Sequence, residues 1–269
     1  MKKEEPIKCV KSATWNLMWG RYRVWTIIIL FFPLIIVIFI PYLFPILIPL
    51  LILYYSFIRS RAHKSFMMDF ARINSFNYQE NLPLESVKGH IFSFGHSKKI
   101  RHAISCKHNG KNIRIFNYEA RTGGGKYQQT HFFTVFEIFF EKIQFPPIVL
   151  KVKRRWIDSL QTDFDKRVSR VSLEDEFRKN FSLFCAEGYA IEALQIFKPE
   201  TLRLLEEKGL NFSIEMIDDR IYVYDRILVS TKKHIFDLYE VAQTVIDSMG
   251  PLLSRLSNDF EALHGYYRR

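Results

Sequence analysis

Residues 24–58, VWTIIILFFPLIIVIFIPYLFPILIPLLILYYSFI, form a run of 35 residues without a charged side chain. An uncharged apolar run of 18 or more residues predicts a transmembrane helix, and about 20 residues cross a hydrocarbon core of roughly 30 Å. One straight helix of the whole run would measure about 52 Å. We therefore predict two short membrane-spanning legs, a transmembrane hairpin, rather than a single crossing.

Three prolines favour a turn within this run. Pro41, Pro45 and Pro49 recur at intervals of four, and each removes a backbone donor and disrupts a continuous helix. We place the turn near residues 40–45, between two legs of about 16 residues. Basic residues flank the run equally, before it at Lys8, Lys11, Arg21 and Arg23 and after it at Arg59, Arg61, Lys64 and Arg72.

The charge distribution predicts an orientation, because Lys and Arg near the ends of a span favour the cytoplasmic side. Both termini are therefore predicted to be cytoplasmic, in a multi-pass protein of the cell inner membrane. Three cysteines without CxxC spacing agree with a reducing compartment. We divide the chain into a basic and aromatic juxtamembrane segment (1–23), the hairpin (24–58), a connecting helix (59–76) and a cytoplasmic α+β domain (77–269).

The strongest hairpin signal after the apolar run lies at residues 104–120. Two strand-like segments, 104–107 and 111–120, flank His108-Asn109-Gly110, and Asn-Gly supplies the positive φ angles of a type I′ turn. A second hairpin follows, with strand 112–120, loop 121–126 and return strand 128–141. Both faces of the return strand are largely apolar, which predicts a central strand covered on both sides.

Further strands are predicted at 148–152 and in a third hairpin, 211–216 and 221–225, around the turn 217–220. A helix is predicted to begin near Ser172 and to run into an apolar segment that ends at Phe184. Pro199 and Gly209 bound a helix at 199–208. A long C-terminal helix, 234–263, is predicted to kink at Gly250-Pro251.

Antiparallel hairpins with helices outside them indicate an α+β fold rather than a parallel doubly wound sheet. The predicted fold class is thus α+β, with a two-helix transmembrane hairpin at the N-terminus. An antiparallel-sheet domain with flanking helices and a long C-terminal helix follows it.

Several short motifs occur in a recognisable order. They are Phe116-Asn117-Tyr118, Thr122-Gly123-Gly124-Gly125-Lys126, Thr130-His131, Thr134-Val135, Phe145-Pro146, Leu150, Leu173-Glu174, Phe177, Phe181, Tyr189, Ala190, Glu192-Ala193, Pro199-Glu200, Leu205 and Ile221-Tyr222-Val223-Tyr224. Together they resemble a widespread group of uncharacterised bacterial membrane-anchored proteins with a domain of unknown function. The resemblance covers residues 77–225 and the paired membrane segments. It implies a transmembrane hairpin and a cytoplasmic α+β domain, and no activity.

The glycine-rich loop 121–126 is the candidate ligand site. Its glycines let backbone N–H groups approach a phosphate, and its lysine adds positive charge. A Walker A loop requires Ser or Thr after the lysine and a helix after the loop, whereas Tyr127 and a strand follow here. A flexible hairpin tip is the alternative interpretation. The candidate ligand residues are Arg121, Gly123, Gly124, Gly125, Lys126 and His131.

Glu119, Arg121 and His131 would supply a base, a clamp and a proton shuttle if they converged near this loop. Ordinary cross-strand pairs explain such residues equally simply. The eight histidines lack HExxH or CxxC-type spacing, and no nucleophile motif occurs. We therefore predict no catalytic residue, no metal site and no cofactor.

The net charge of +11 arises from 39 basic and 28 acidic residues. Basic clusters near a membrane would contact anionic lipids, and a solvated basic surface is the alternative interpretation. Nucleic acid would attract the same groups, but no RRM, KH, zinc-finger or helix-turn-helix signature is present. The clusters are Lys98-Lys99-Arg101, Lys151-Lys153-Arg154-Arg155 and Arg268-Arg269.

The predicted function is a non-enzymatic binding or scaffold module at the inner leaflet. Its expected partners are the lipid bilayer and a protein, which includes a second copy of the chain. Two alternatives stay open. One is a nucleotide- or phosphate-binding protein or enzyme that uses the Gly123–Lys126 loop, and the other is a membrane-bound nucleic-acid binder.

Overall fold

The structure is a computed structural model that describes residues 9–39, 44–108, 110–153, 169–207, 212–250 and 252–253. The chain divides into two compact units. Residues 1–78 and 230–233 make up the first, here called the helical unit. Residues 79–229 and 234–269 make up the second, the sheet unit.

Three helices and one π-helical turn make up the described part of residues 9–73. Helix α1 spans Val10–Asn16, the π-helical turn Leu17–Arg21, α2 Arg23–Phe39 and α3 Phe44–Ile73. Cys9 caps α1, because its Sγ atom accepts a hydrogen bond of 3.4 Å from the backbone N–H of Ser12. The apolar residues of this unit thus form helices, as their run without polar interruption predicts.

The structure corrects the prediction of membrane-spanning legs. Helix α2 has 17 residues, and the uncharged part of α3 ends before Arg59, whereas about 20 apolar residues are needed for a crossing. Within the described part of the chain, no helix combines the length and the apolar character that a membrane span requires. The transmembrane hairpin of residues 24–58 therefore has no support, and the predicted multi-pass inner-membrane localisation is wrong. Most of the predicted turn, 40–43, lies outside the described residues.

The sheet unit is built on a nine-stranded sheet with the strand order β1-β2-β3-β4-β9-β8-β5-β7-β6. All pairs from β2 to β6 along this order are antiparallel. The α+β fold with an antiparallel sheet and flanking helices is thus confirmed. The strands are β1 Asn77–Leu82, β2 His96–His108, β3 Lys111–Thr122, β4 Gln129–Phe139, β5 Phe145–Val152, β6 Ser169–Val171, β7 Phe181–Cys185, β8 Ser213–Asp218 and β9 Arg220–Asp225.

The three predicted hairpins are confirmed as β2–β3, β3–β4 and β8–β9. Strand β4 is central in the order, and both of its faces are buried over Phe133–Ile138, as its two apolar faces predict. Its full pairing with β3, from Asn112 opposite Phe139 to Thr122 opposite Gln129, fixes which side chains share a face.

The helices of the sheet unit are α4 Asp175–Arg178, α5 Ala190–Ile196, α6 Pro199–Glu207 and α7 Lys232–Ser248. The prediction for 199–208 is confirmed by α6. The predicted helical segment 172–184 is wrong in its second half, because Phe181–Cys185 pairs with both β5 and β6 as strand β7. The C-terminal helix begins as predicted, and Pro251 and residues 254–263 lie outside the described part.

Each face of the sheet around β3, β4 and β9 has its own cover. One face packs under residues 83–94, here called the cover segment, which contains two short 3-10 turns. Ile91, Phe92 and Phe94 of this segment are buried with core residues of the strands. On the other face, the ring of Tyr239 from α7 contacts Phe136 with a centroid distance of 6.2 Å.

Candidate functional site

The glycine-rich loop is a closed hairpin tip between β3 and β4. Two of its backbone N–H groups close the loop on itself, since Tyr127 donates to the Gly124 carbonyl at 3.1 Å and Gln128 to the Gly125 carbonyl at 3.4 Å. His96 reaches the loop from β2 and donates from Nε2 to the Gly123 carbonyl at 2.8 Å, because a carbonyl only accepts. Lys126 is exposed. The ligand role of the loop stays a prediction.

The three consecutive glycines differ in backbone φ angle and in the space around them, so they can be compared as a matched series. Gly123 has φ +72°, and an added Cβ would lie 2.5 Å from the Tyr127 carbonyl oxygen. Gly125 has φ +56° but open space, and Gly124 has φ −150° and open space. We expect Gly123→Ala to lower the free energy of unfolding by about 2 kcal/mol or more and Gly125→Ala by about 1 kcal/mol. Gly124→Ala should change it by less than about 0.5 kcal/mol.

Urea unfolding of the three variants measures this order. If instead the loop binds a ligand through close backbone approach at all three glycines, Gly124→Ala should lower ligand affinity while leaving the free energy of unfolding unchanged. Equal destabilisation by all three substitutions would contradict the conformational explanation.

His131 is held as a neutral imidazole beneath the loop. Its Nδ1 atom faces the Arg226 guanidinium, which can only donate, so Nδ1 accepts. Nε2 therefore carries the proton and donates to Thr122 Oγ1 at 2.6 Å. Burial, reinforced by the charge of Arg226, lowers the pKa of His131. Both ring nitrogens are thus occupied by neighbours, which suits a structural role.

The structure does not bring Glu119 and Arg121 together with His131. Directly opposed residues of an antiparallel pair lie on the same face, and His131 lies opposite Ala120. Glu119 and Arg121 alternate with Ala120 and therefore lie on the other face of the sheet. There Glu119 forms long ion pairs of 3.9 Å with Arg101 and Arg121. The predicted base, clamp and shuttle are thus separated by the sheet.

A buried polar row crosses the face under the cover segment. Arg114, Glu137, Tyr222 and Glu215 follow one another on β3, β4, β9 and β8, each opposite the next. Glu137 is nearly fully buried and binds Arg114 through Oε1 at 2.9 Å. Its Oε1 also accepts from Arg220 Nη1 at 2.6 Å. Two guanidinium groups thus compensate one buried carboxylate.

The polar row also binds the backbone of the cover segment. The Ser86 carbonyl accepts from Arg114 Nη2 at 2.9 Å and from Arg220 Nη1 at 2.6 Å. Tyr222 Oη accepts from the Lys88 N–H at 3.1 Å. The Glu215 carboxyl group accepts from the N–H groups of His90 and Ile91. These contacts attach the segment to the sheet, so the row has a structural explanation.

Several basic side chains of the predicted clusters make contacts within the sheet unit. Lys98 donates to the Ser93 carbonyl at 3.1 Å. Lys151 lies over the Phe184 ring, with Nζ 5.3 Å from the centroid, and Lys153 donates to the Arg178 carbonyl at 2.6 Å. Arg154, Arg155, Arg268 and Arg269 lie outside the described residues. The two described clusters therefore belong partly to the packing of the sheet unit.

An apolar surface on the helical unit is the feature that packing leaves unexplained. Proteins rarely expose large contiguous apolar areas unless these contact a partner or a lipid. The rings of Trp15 and Trp19 contact each other at a tilt of 47° with centroids 5.7 Å apart, and Trp15 is 64% exposed. The apolar side chains of α1 to α3 that are more than half exposed are Trp15, Val24, Trp25, Phe31, Leu50, Ile52, Leu53 and Tyr55.

Two contacts between α2 and α3 place four arginines at one end of this surface. Tyr22 packs edge-on against Phe57 with a centroid distance of 6.5 Å. Thr26 donates to the Met18 carbonyl, so its 2.7 Å contact with Tyr54 is a hydrogen bond that Tyr54 donates. The helices are therefore antiparallel and in register here. Their exposed arginines at this end are Arg21, Arg23, Arg59 and Arg61.

No acidic residue opposes these arginines along the chain, because residues 6–68 contain neither Asp nor Glu. One of the four, Arg61, lies over the Phe57 ring at 5.2 Å from the centroid. The helical unit thus combines an exposed apolar surface with a positively charged end. We call this combination the amphipathic surface of the helical unit.

Comparisons with known proteins find a likeness in fold. No protein-family model and no curated protein sequence matches the chain. A solved structure, the crystal structure of the mycobacterial trehalose monomycolate transport factor A, matches with a TM-score of 0.54 and 9% sequence identity. The match covers 70% of this chain and 95% of that one. At this identity the likeness shows the fold alone, and the resemblance to the bacterial membrane-anchored group stays a prediction.

Sequence reasoning missed several residues that the structure brings together. Arg114 and Arg220 meet Glu137 only through strand register, so no local motif marks them. A usable signal was Glu137 itself, since a lone acid within an apolar strand requires a buried partner. Arg226 lies 95 positions from His131, and only the fold places it there.

Proposed function

We propose that the protein is a non-enzymatic lipid-binding module that contacts an anionic lipid surface through the amphipathic surface of its helical unit. The observation that carries this proposal is the pairing of exposed aromatic and aliphatic side chains with four arginines in a region free of acidic residues. Neither a metal-binding group of side chains in the described residues nor a nucleophile motif offers a competing chemistry there.

Lipid explains both halves of this surface at once. Apolar side chains gain roughly 25 cal/mol per Å² when they leave water, and Trp and Tyr favour the boundary between headgroups and hydrocarbon. Each Arg near an anionic surface adds about 1 kcal/mol. A protein partner would satisfy the apolar half, but it would also need an acidic rim at the arginine end.

The fold likeness is compatible with this proposal. The matched structure is named as a transport factor for trehalose monomycolate, which is a lipid. The likeness does not carry the ligand of that protein over to this chain, so the proposal names only an anionic lipid surface. The sequence alone predicts lipid contact through the basic clusters. The proposed lipid contact is instead made by four arginines of the helical unit, Arg21, Arg23, Arg59 and Arg61.

Binding of the full-length protein to vesicles tests the proposal. We expect sedimentation with vesicles of phosphatidylglycerol and phosphatidylcholine that weakens as salt is raised, because salt screens the arginines. Trp25→Glu removes an exposed indole and adds a negative charge beside the arginine end. It should weaken binding at least about tenfold, equivalent to about 1.4 kcal/mol.

Phe236→Glu is the matched control, because Phe236 is an aromatic side chain of α7 that is 58% exposed, close to the 63% of Trp25. Its binding should equal that of the wild type. Equal binding of Trp25→Glu and wild type would refute the proposal. Retention on DNA but not on vesicles would favour the nucleic-acid alternative instead.

A further inference from the structure

A small pocket opens at the edge of the sheet beside β6, away from the polar row. Its volume is about 270 Å³, below the roughly 300–1,000 Å³ of pockets that hold drug-sized ligands. The residues that line it come from β6, the turn after it, α4 and β7. Within the described part of the chain, the lining therefore comes from one short stretch, 170–182.

The pocket has a polar face, and the buried apolar residues of its lining, Val171, Leu173 and Phe181, belong to the core. Arg170 lies opposite Phe184 and therefore on the same face as Ser182, whereas Val171 and Phe181 lie on the opposite face. The guanidinium groups of Arg170 and Arg178 and the hydroxyl groups of two serines, Ser172 and Ser182, complete the lining. Two guanidinium groups and two hydroxyl groups offer several donors to one bound group.

The hydrogen bonds of these guanidinium groups within the pocket are long. Arg170 Nη2 lies 3.5 Å from Ser182 Oγ. Arg178 Nη2 lies 3.4 Å from Ser172 Oγ and 3.5 Å from the Leu173 carbonyl. Charge-assisted hydrogen bonds of guanidinium groups are normally about 2.7–2.9 Å. Both side chains therefore retain donor capacity toward a better acceptor.

The charge of the pocket is positive. Arg178 forms an ion pair of 3.1 Å with Asp175, whose side chain is 90% exposed. Among the residues that the structure describes, no ion pair is found for Arg170. Among the described residues that line the pocket, two thus carry a positive charge and none a negative charge.

We propose that this pocket binds a phosphate group, either free or as the headgroup of a lipid. Guanidinium groups bind phosphate through two parallel hydrogen bonds, and the hydroxyl groups of Ser172 and Ser182 add donors. This inference goes beyond the proposed function, because it concerns the sheet unit and does not depend on the amphipathic surface.

Calorimetric titration of the full-length protein tests the inference with two probes, inorganic phosphate and dihexanoyl phosphatidic acid below its micelle concentration. We expect saturable binding of at least one probe. Arg170→Gln should weaken that binding at least tenfold, and Arg170→Gln with Arg178→Gln should abolish it. Tighter binding of the phosphatidic acid identifies a lipid headgroup as the ligand, and equal affinities identify free phosphate.

Arg203→Gln is the matched control, since Arg203 lies on α6 outside the pocket and pairs with Glu176 at 3.5 Å. Its affinity for phosphate should equal that of the wild type. Absence of saturable binding for both probes, or unchanged affinity in the double variant, would overturn the inference. Vesicle sedimentation of Trp25→Glu reports separately on the helical unit. The lipid-surface proposal and the phosphate-pocket proposal can therefore be refuted independently.

Discussion

Replacing Glu137 with Gln is expected to lower the free energy of unfolding by about 3 kcal/mol. Removal of one partner from a buried ion pair typically costs 3–5 kcal/mol, because it leaves an uncompensated charge behind. Here it leaves Arg114 without its carboxylate and Arg220 with Asp219 at 3.1 Å, and the two arginine side chains are 24% and 14% exposed. Their partial exposure places the expected loss at the lower end of that range. Thermal unfolding followed by circular dichroism should show a Tm lower by roughly 6–12 °C.

Glu119→Gln is the matched control for this prediction. Glu119 also pairs with two arginines from neighbouring positions, but at 3.9 Å, and both arginines are more exposed. Such pairs contribute less than about 1 kcal/mol. Equal losses in the two variants would contradict the assignment of Glu137 as a buried charge centre. Replacement of all three residues, Glu137→Leu with Arg114→Met and Arg220→Met, should recover part of the loss. The charge that then loses its partner is that of Asp219, whose side chain is 26% exposed, rather than a buried one.

Glu215 is expected to make the protein less stable as the pH rises from about 4.5 to 7. Burial raises the pKa of Glu215 from 4.5 to about 7, although the N–H groups of His90 and Ile91 and the charge of Lys151 lower it. Below pH 4.5 the carboxyl group is protonated in both the folded and the unfolded chain. Between these values the unfolded chain releases the proton and the folded chain keeps it, so stability falls by about 3 kcal/mol.

The sign of this contribution is opposite to that of His131. The pKa of His131 is lowered in the folded chain, so its contribution to stability is lost as the pH falls below 6.5. The two contributions oppose each other in an overlapping pH range, and the total pH dependence conceals both. The contribution of Glu215 is isolated by subtracting the free energy of unfolding of Glu215→Gln from that of the wild type.

We expect this difference, measured by urea unfolding between pH 4 and 8, to decrease by about 3 kcal/mol as the pH rises and then to level off above pH 7. The absolute stability of Glu215→Gln is not the readout, because the amide offers one acceptor to two N–H donors. His131→Gln should give a difference that changes in the opposite direction. A difference between wild type and Glu215→Gln that is independent of pH would show that Glu215 is ionised in the folded chain.

Local sequence chemistry predicted the hairpins and the fold class. Asn109-Gly110, the glycines after Arg121 and the turn at 217–220 act over two to six residues, and the strands beside them pair because they are adjacent in the chain. Proline at the start of α6 acts equally locally. Strand β7 was missed because Phe181–Cys185 follows directly after the helical turn α4. This turn separates β7 from its partner β6, and its other partner, β5, lies earlier still in the chain.

The apolar run 24–58 shows where composition misleads. Its 35 uncharged residues suggested two membrane-spanning legs, but the length that matters is that of each uncharged helix. Helix α2 ends at Phe39 after 17 residues, and α3 meets Arg59 and Arg61 in its middle. The same residues instead give the helical unit an exposed apolar surface with arginines at one end.

The amino-acid order alone was sufficient for the antiparallel hairpins, the buried central strand β4 and the concentration of positive charge around residues 8–64. Long-range pairing was needed for everything that involves two distant residues. It placed Glu137 between Arg114 and Arg220, and it put His131 on the opposite face from Glu119 and Arg121. The physical reason is that turns act through neighbouring backbone angles, whereas the face on which a side chain lies depends on strand register, and a shift of one residue reverses it.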